Sequence, residues 1–244
     1  MSDRNTFNLR QNPALQSETG ITSKNFLPNV FIWMFVALGI SAASTYLFST
    51  NDTLLRYLVD FETGSITGLG TAARFAPLAF VLVLSFGMNR LSFPIVVLLY
   101  VLFAAIMGIS ISFNLMIYST SSVLGCFISA SGLFAVMAIA GYTTSYDLTR
   151  FGSILIMFLI GMVIASIVNW FLQSSQLDYI ISFIGIAVFI GLTAYDVQRL
   201  KRIGAGIEYG DASANKMVIM GALSLYLDFI NLFLMLLRVF GSRK

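Results

Sequence analysis

From Leu91 to Tyr146 the chain reads LSFPIVVLLYVLFAAIMGISISFNLMIYSTSSVLGCFISASGLFAVMAIAGYTTSY, with no Asp, Glu, Lys or Arg anywhere in it. A bilayer's hydrocarbon core is about 30 Å thick and takes roughly 20 apolar residues as a helix. The run is therefore two membrane spans in succession. The small hydroxyl residues Ser119-Thr120-Ser121-Ser122 mark the break, which places one span at Pro94–Tyr118 and the next at Val123–Tyr142.

The same reading extends outward in both directions. Towards the C-terminus, apolar stretches at Phe151–Gln173, Tyr179–Arg199 and Met217–Arg238 give three more spans. Towards the N-terminus, Pro28–Phe48 gives the first, inside an uncharged interval from Asn25 to Asn51. A polar loop with Asp52, Arg56, Asp60 and Glu62 follows it. The second span is the weakest, because the uncharged run between Arg74 and Arg90 is short and one of those arginines must snorkel. The expected fold is all-α: a polytopic bundle of seven transmembrane helices. Residues 1–25 are polar and lack signal-peptide form. They are expected to be a flexible cytoplasmic tail, with residues 26–244 forming a single membrane domain.

Composition agrees and excludes much. Of 244 residues, 58% are hydrophobic and 10% charged, against about 25% charged in soluble domains; the mean hydropathy is +0.88. A soluble enzyme is ruled out. The absence of histidine removes imidazole bases, metal ligands and pH switches, and one cysteine, Cys126, makes neither an internal disulfide nor a zinc cluster. The net charge of +3 comes with no basic block of the kind that binds nucleic acid. No cofactor motif occurs, and the serines lack a base to activate them. An enzyme is not expected.

Orientation follows from lysine and arginine placement. With the N-terminus cytoplasmic, Arg4, Arg10, Lys24, Arg90, Arg150, Arg199, Lys201, Arg202 and Lys216 lie inside. Arg56, Arg74, Arg238, Arg243 and Lys244 lie outside. The balance favours a multi-pass protein of the cell's inner membrane with its N-terminus in the cytoplasm.

Two carboxylates fall within apolar spans, Asp196 in the sixth and Asp228 in the seventh. Asp228 is about 18 Å along its helix from Lys216, near mid-membrane, where a charge costs about 2.5 kcal/mol or more and generally serves a function. Ser224, Asp228, Asn231 and Arg238 share a face with Met217, Gly221 and Met235, so that stripe looks into the bundle. Gly185, Phe189, Thr193 and Asp196 make a shorter stripe in the sixth span. Ser166, Asn169 and Gln173 make another in the fifth, a pattern more common as interhelical glue than as a pathway. The structural alternatives are that Asp228 is a hydrogen-bonded core residue, that Asp196 is an interfacial partner of Arg199 or Lys201, and that Arg238 is a snorkelling anchor.

Gly191-Leu-Thr-Ala-Tyr-Asp196-Val-Gln-Arg-Leu-Lys201 resembles the sixth-helix signature of the Bax-inhibitor family, the transmembrane Bax inhibitor motif-containing proteins. Ala222-Leu-Ser-Leu-Tyr-Leu-Asp228-Phe-Ile-Asn231-Leu-Phe resembles its seventh-helix signature. Phe75-Ala-Pro-Leu78, Phe86-Gly-Met-Asn-Arg90, Gly141-Tyr-Thr-Thr144 and Asp147-Leu-Thr are similar as well. The combination looks like a bacterial member. The resemblance implies a seventh helix at the centre of the other six. It also implies a pH-sensitive calcium leak with Asp196 and Asp228 as its sensor and Arg90 as a companion. Thr193, Tyr195, Ser224 and Asn231 are the supporting polar residues around them.

Two such carboxylates at ~4 Å and an effective dielectric of ~20 repel by about 4 kcal/mol, so the pair is expected to hold one proton between them. With that proton it latches the sixth helix to the seventh. Without it the helices part, and the Asp196 and Asp228 oxygens suit a passing calcium ion. Expected partners are membrane lipid and calcium. A non-transporting regulator that binds a membrane-anchored protease or another membrane complex is the alternative. An intramembrane aspartyl protease fits poorly, because Leu225-Tyr226-Leu227 stands where that class has Gly-x-Gly. Counting from the basic residues puts Asp196 near a membrane face and Asp228 near the middle. Their pairing requires the sixth helix to run on past Arg199 or the seventh to begin within the membrane boundary.

Overall fold

The computed structural model describes residues 23–61, 63–87, 90–207 and 213–244. Their helices are α1 (Ser23–Thr50), α2 (Asp52–Leu58), α3 (Gly68–Gly87), α4 (Phe93–Ile117), α5 (Thr120–Thr143), α6 (Thr149–Leu172), α7 (Ser175–Ala205) and α8 (Ala214–Phe240). All except α2 are long and apolar enough to cross a membrane, which makes seven spans among the described residues. Residues 1–22 of the expected tail lie outside the described residues, and Ser23–Asn25 already form the first turn of α1.

Local chemistry sets the boundaries. At the serine-rich break Tyr118 is extended, and the Ser119 hydroxyl caps α5 by accepting from the Ser122 amide at 3.4 Å. Ser174 caps α7 in the same way, accepting from the Leu177 amide at 3.3 Å. The one helix not expected is α2, which falls in the stretch read as a loop. Asn51 caps it, its Oδ1 accepting from the Thr53 amide at 3.0 Å, and the buried Leu55 and Leu58 pin it down.

The weak second span gains its length by starting at Gly68, so Arg74 lies within the helix and Arg90 beyond its end. The Arg74 guanidinium sits 4.9 Å over the Phe113 ring, an arrangement that eases an arginine's cost near lipid.

The most buried helix is α8, which packs against α1, α4, α5 and α7. By contrast α6 leans chiefly on α7, and α3 on α4 and α2. The outward faces carry bare Phe35, Val136, Ile164 and Phe171, as a lipid-facing surface does. In lipid, helices associate through close packing and hydrogen bonds rather than through water exclusion, and two glycines show the packing. A Cβ on Gly108 would lie 2.3 Å from the Ser41 carbonyl of α1, and one on Gly141 would lie 2.2 Å from the Ala194 carbonyl of α7.

The hydrogen bonds are equally specific. Ser41 Oγ donates to the Ala104 carbonyl at 2.7 Å. Its single proton is thereby used, so the Tyr226 hydroxyl, also 2.7 Å away, donates to Ser41. That relay ties α8 to α1 and α1 to α4.

Candidate functional site

α7 runs six residues past Arg199, to Ala205, before the turn into α8. The axial mismatch between the two aspartates is resolved in this way. Asp196 lies nine residues before the end of α7, and Ser224 ten residues after the start of α8, so both sit about 14–15 Å from the helix ends that the turn joins. The Ser224 hydroxyl donates to Asp196 Oδ2 across this level. Asp228 is one turn deeper, about 6 Å, and the Asp196 and Asp228 carboxyls are near enough to act on one another electrostatically.

Both aspartates are buried, at 7% and 6% exposure. Asp228 Oδ2 is the one buried side-chain oxygen or nitrogen without a partner among the described residues. Arg199 acts on Asp196 electrostatically. No third His, Cys, Asp or Glu joins the pair as a metal cluster among the described residues.

A cavity of about 370 Å³ opens against Asp196. Its wall includes Asp196, Arg199, Ser224 and Met217, with Val81 and Ser85 of α3 opposite. A second cavity, of about 700 Å³, lies towards the other face, lined by Arg74, Ser166, Trp170, Asn231 and Met235 among others. Val81 and Leu227 line both and stand where the two meet. The α8 stripe read from the sequence is the shared wall: Met217, Gly221 and Ser224 face the inner cavity, Asn231 and Met235 the outer. Asp228 borders neither cavity and lies behind Leu227, where Asp196 reaches it.

The remaining expected residues are distributed differently. Thr193 is fully buried and bonds back to the Phe189 carbonyl of its own helix at 2.8 Å. The Tyr195 ring occupies the notch at Gly152 of α6. Arg90 sits in an exposed turn after α3, outside the cavity lining; the arginine at the inner cavity is Arg199. Arg238 pairs with Asp178 at 3.4 Å. Ser166 faces the outer cavity, while Asn169 accepts from the Ser174 amide at 3.1 Å.

Sequence reading did not find a clamp on the other side of α7. Gln198 accepts from the Leu148 amide at 2.9 Å and donates to the Tyr146 carbonyl at 2.7 Å. Arg202 pairs with Asp147 at 2.6 Å. Hydrogen bonds from the Thr149 hydroxyl and amide, then Arg202, hold the Asp147 carboxyl down at about 2. The signal was present in Gln198, Lys201 and Arg202 at three- and four-residue spacing, one face of a helix that continues.

The profile of the family described as "Inhibitor of apoptosis-promoting Bax1" matches residues 23–244. The chain belongs to the Bax inhibitor-1 family. It is 39% identical over 236 residues to the "Inner membrane protein YbhL" of Escherichia coli, covering 96% of this chain and 98% of that one. It is equally 39% identical to an uncharacterized protein of Borreliella burgdorferi over 230 residues, 94% and 97% of the two chains. An uncharacterized protein of Rickettsia prowazekii is again 39% identical, over 213 residues, 87% and 88% of the two. Family membership and seven apolar helices make this a multi-pass membrane protein.

Proposed function

We propose that this Bax inhibitor-1 family member is a pH-sensitive calcium leak of the inner membrane, gated by the Asp196–Asp228 pair. The observation that carries the reading is a pair of interacting carboxyls buried between α7 and α8, with Asp196 at the wall of an open cavity and Asp228 behind it. Two ionised carboxylates against a single nearby guanidinium, one of them with an unpartnered oxygen, are costly in a low-dielectric site. The pair keeps one proton and joins the helices. At higher pH that proton leaves, the two carboxylates repel, and the contact between α7 and α8 loosens.

Calcium is cargo here, not a resident ion. Ca²⁺ takes six to eight oxygens, whereas the site offers two carboxylates and the Ser224 hydroxyl, so a passing ion keeps much of its water. The two cavities, stacked along α8 and parted by Val81 and Leu227, give the route, with the N-terminus on the cytoplasmic side. YbhL is named an inner membrane protein, which agrees with the location proposed.

The test is calcium flux into proteoliposomes from pH 6 to 8, comparing wild type with Asp196→Asn and Asp228→Asn. Flux should rise with pH in wild type and lose that dependence in both variants. A pH-independent wild type removes the gate. No flux at any pH removes the leak and favours a regulator that acts by binding another membrane protein.

A further inference from the structure

At the membrane face that carries the start of α1, a separate cavity of about 520 Å³ lies between α1, α5 and α7. Its polar wall is Lys24, Lys201 and the end of α5 at Tyr142; its apolar wall is Leu27, Pro28 and Phe31. It shares no lining residue with the two cavities along α8, and the reading of those cavities has no use for it.

The two lysines are prepared for an anion. Lys201 Nζ donates to the Tyr142 carbonyl at 2.7 Å and stands 4.6 Å from the centre of the Tyr142 ring. This fixes the ammonium in place while leaving two of its three N–H donors unspent among the described residues. Lys24 has no carboxylate partner among the described residues, and no acidic residue lines the cavity. Arg202, the next cation along α7, is taken by Asp147.

The floor is equally defined. Gly204 lets the Phe26 ring approach α7 so closely that a Cβ there would lie 2.9 Å from it. Pro28 withholds the amide that would close on the Lys24 carbonyl, which loosens the first turns of α1 beside the cavity. One end of the cavity is thus cationic, and the other is apolar and continuous with the lipid-facing side of α1. A free inorganic anion would use only the first. A molecule with a phosphate at the boundary and hydrocarbon below it uses both, and basic pockets between helix ends are where anionic headgroups seat.

We infer that this cavity is a binding site for one anionic phospholipid, its phosphate held between Lys24 and Lys201 and its acyl chain laid along Leu27 and Phe31. Each lysine contributes about five-fold in affinity, roughly thirty-fold together. The test uses the full chain, purified in neutral detergent and titrated with phosphatidylglycerol or phosphatidylcholine under native mass spectrometry. Wild type should retain phosphatidylglycerol in preference, Lys24→Gln/Lys201→Gln should lose roughly thirty-fold of that preference, and Lys24→Arg/Lys201→Arg should keep it.

Ala205→Glu, which places a carboxylate on the exposed rim of the same cavity, should abolish the preference and gives the answer if the double glutamine variant fails to fold. Equal retention of the two lipids by wild type, or an unchanged preference in Ala205→Glu, overturns the site. Displacement of phosphatidylglycerol by millimolar inorganic phosphate overturns it also, since the cavity then takes the anion without the chain. None of these outcomes depends on whether the protein conducts calcium.

Discussion

Ser224→Ala is the sharpest probe of the aspartate gate, because it alters one hydrogen bond without touching either carboxyl. The Ser224 hydroxyl donates to Asp196 Oδ2, and a donor of that kind favours the ionised carboxylate over the protonated one. A hydrogen bond to a charged group contributes about 1.5–3 kcal/mol, and about 1.4 kcal/mol corresponds to one pH unit. Removing it should therefore move the midpoint of the flux curve by about one to two units. Ser224 borders the open inner cavity, where water can replace part of the bond, so the lower figure, about one unit, is expected.

Flux follows loss of the proton, the alanine makes that loss harder, and the midpoint moves to higher pH. The assay is calcium uptake into proteoliposomes at half-unit steps from pH 5.5 to 9, with the maximal flux fitted separately from the midpoint. The maximum should stay within about two-fold of wild type, since no residue of the Val81–Leu227 constriction has changed. An unmoved midpoint, or one displaced to lower pH, refutes the placement of the proton on this pair.

Three other changes separate the parts of the site. Leu227→Ala removes the side chain that stands between the two cavities and should raise flux at pH 6, where wild type is closed, as read in the same uptake assay. Asp147→Asn breaks the pair with Arg202. The native carboxyl, held at about 2, gives stability that is present above its ordinary value near 3.9 and lost only as pH falls towards 2. The pH dependence of flux between 6 and 8 should therefore be the same in the variant as in wild type. Gly141→Ala forces a methyl to within 2.2 Å of the Ala194 carbonyl; backbone cannot yield there as a side chain would, and the cost should be about 1–3 kcal/mol, measured as a lowered thermal midpoint in detergent.

The charge-free run from Leu91 to Tyr146 made the fold legible, because in a membrane every backbone polar group must be satisfied within the segment and a helix is the simplest way to do it. Span ends were less legible. By sequence the sixth span ends at Arg199, where basic residues begin, yet α7 continues to Ala205. Those cations are absorbed one by one: Arg199 at the inner cavity, Lys201 on the Tyr142 carbonyl, Arg202 on Asp147. A partner supplied by another helix is a tertiary fact, and charge counting along one chain does not contain it. The aspartates and Ser224 were legible for the opposite reason, since polar atoms on an otherwise apolar helix must face protein. Thr193 and Tyr195 share the motif with Asp196, but helical geometry sends them elsewhere, one back to its own backbone and one into the Gly152 notch.

The clamp and the cavities together restrict how such a site can open. α7 is fastened on its outer side by Gln198, Lys201 and Arg202 to residues 142–149, and along its length by the close approach of Ala194 to Gly141. α8 is fastened to α1 and α4 by the Tyr226–Ser41–Ala104 relay, and its far end is held where the Ser119 amide bonds to the Ser242 carbonyl at 3.0 Å. α3 is tied at its start, where Gly70 lies against the Leu58 carbonyl and Arg74 over the Phe113 ring, but among the described residues no hydrogen bond ties its second half to another helix. It packs chiefly on α4 and the short α2, much of its surface faces lipid, and Pro77 in its interior removes the amide that would close on the Ala73 carbonyl. Yet Val81 and Ser85 of α3 form the wall opposite the aspartates. A change of charge between two well-held helices therefore has its easiest mechanical outlet across the cavity, in the second half of α3.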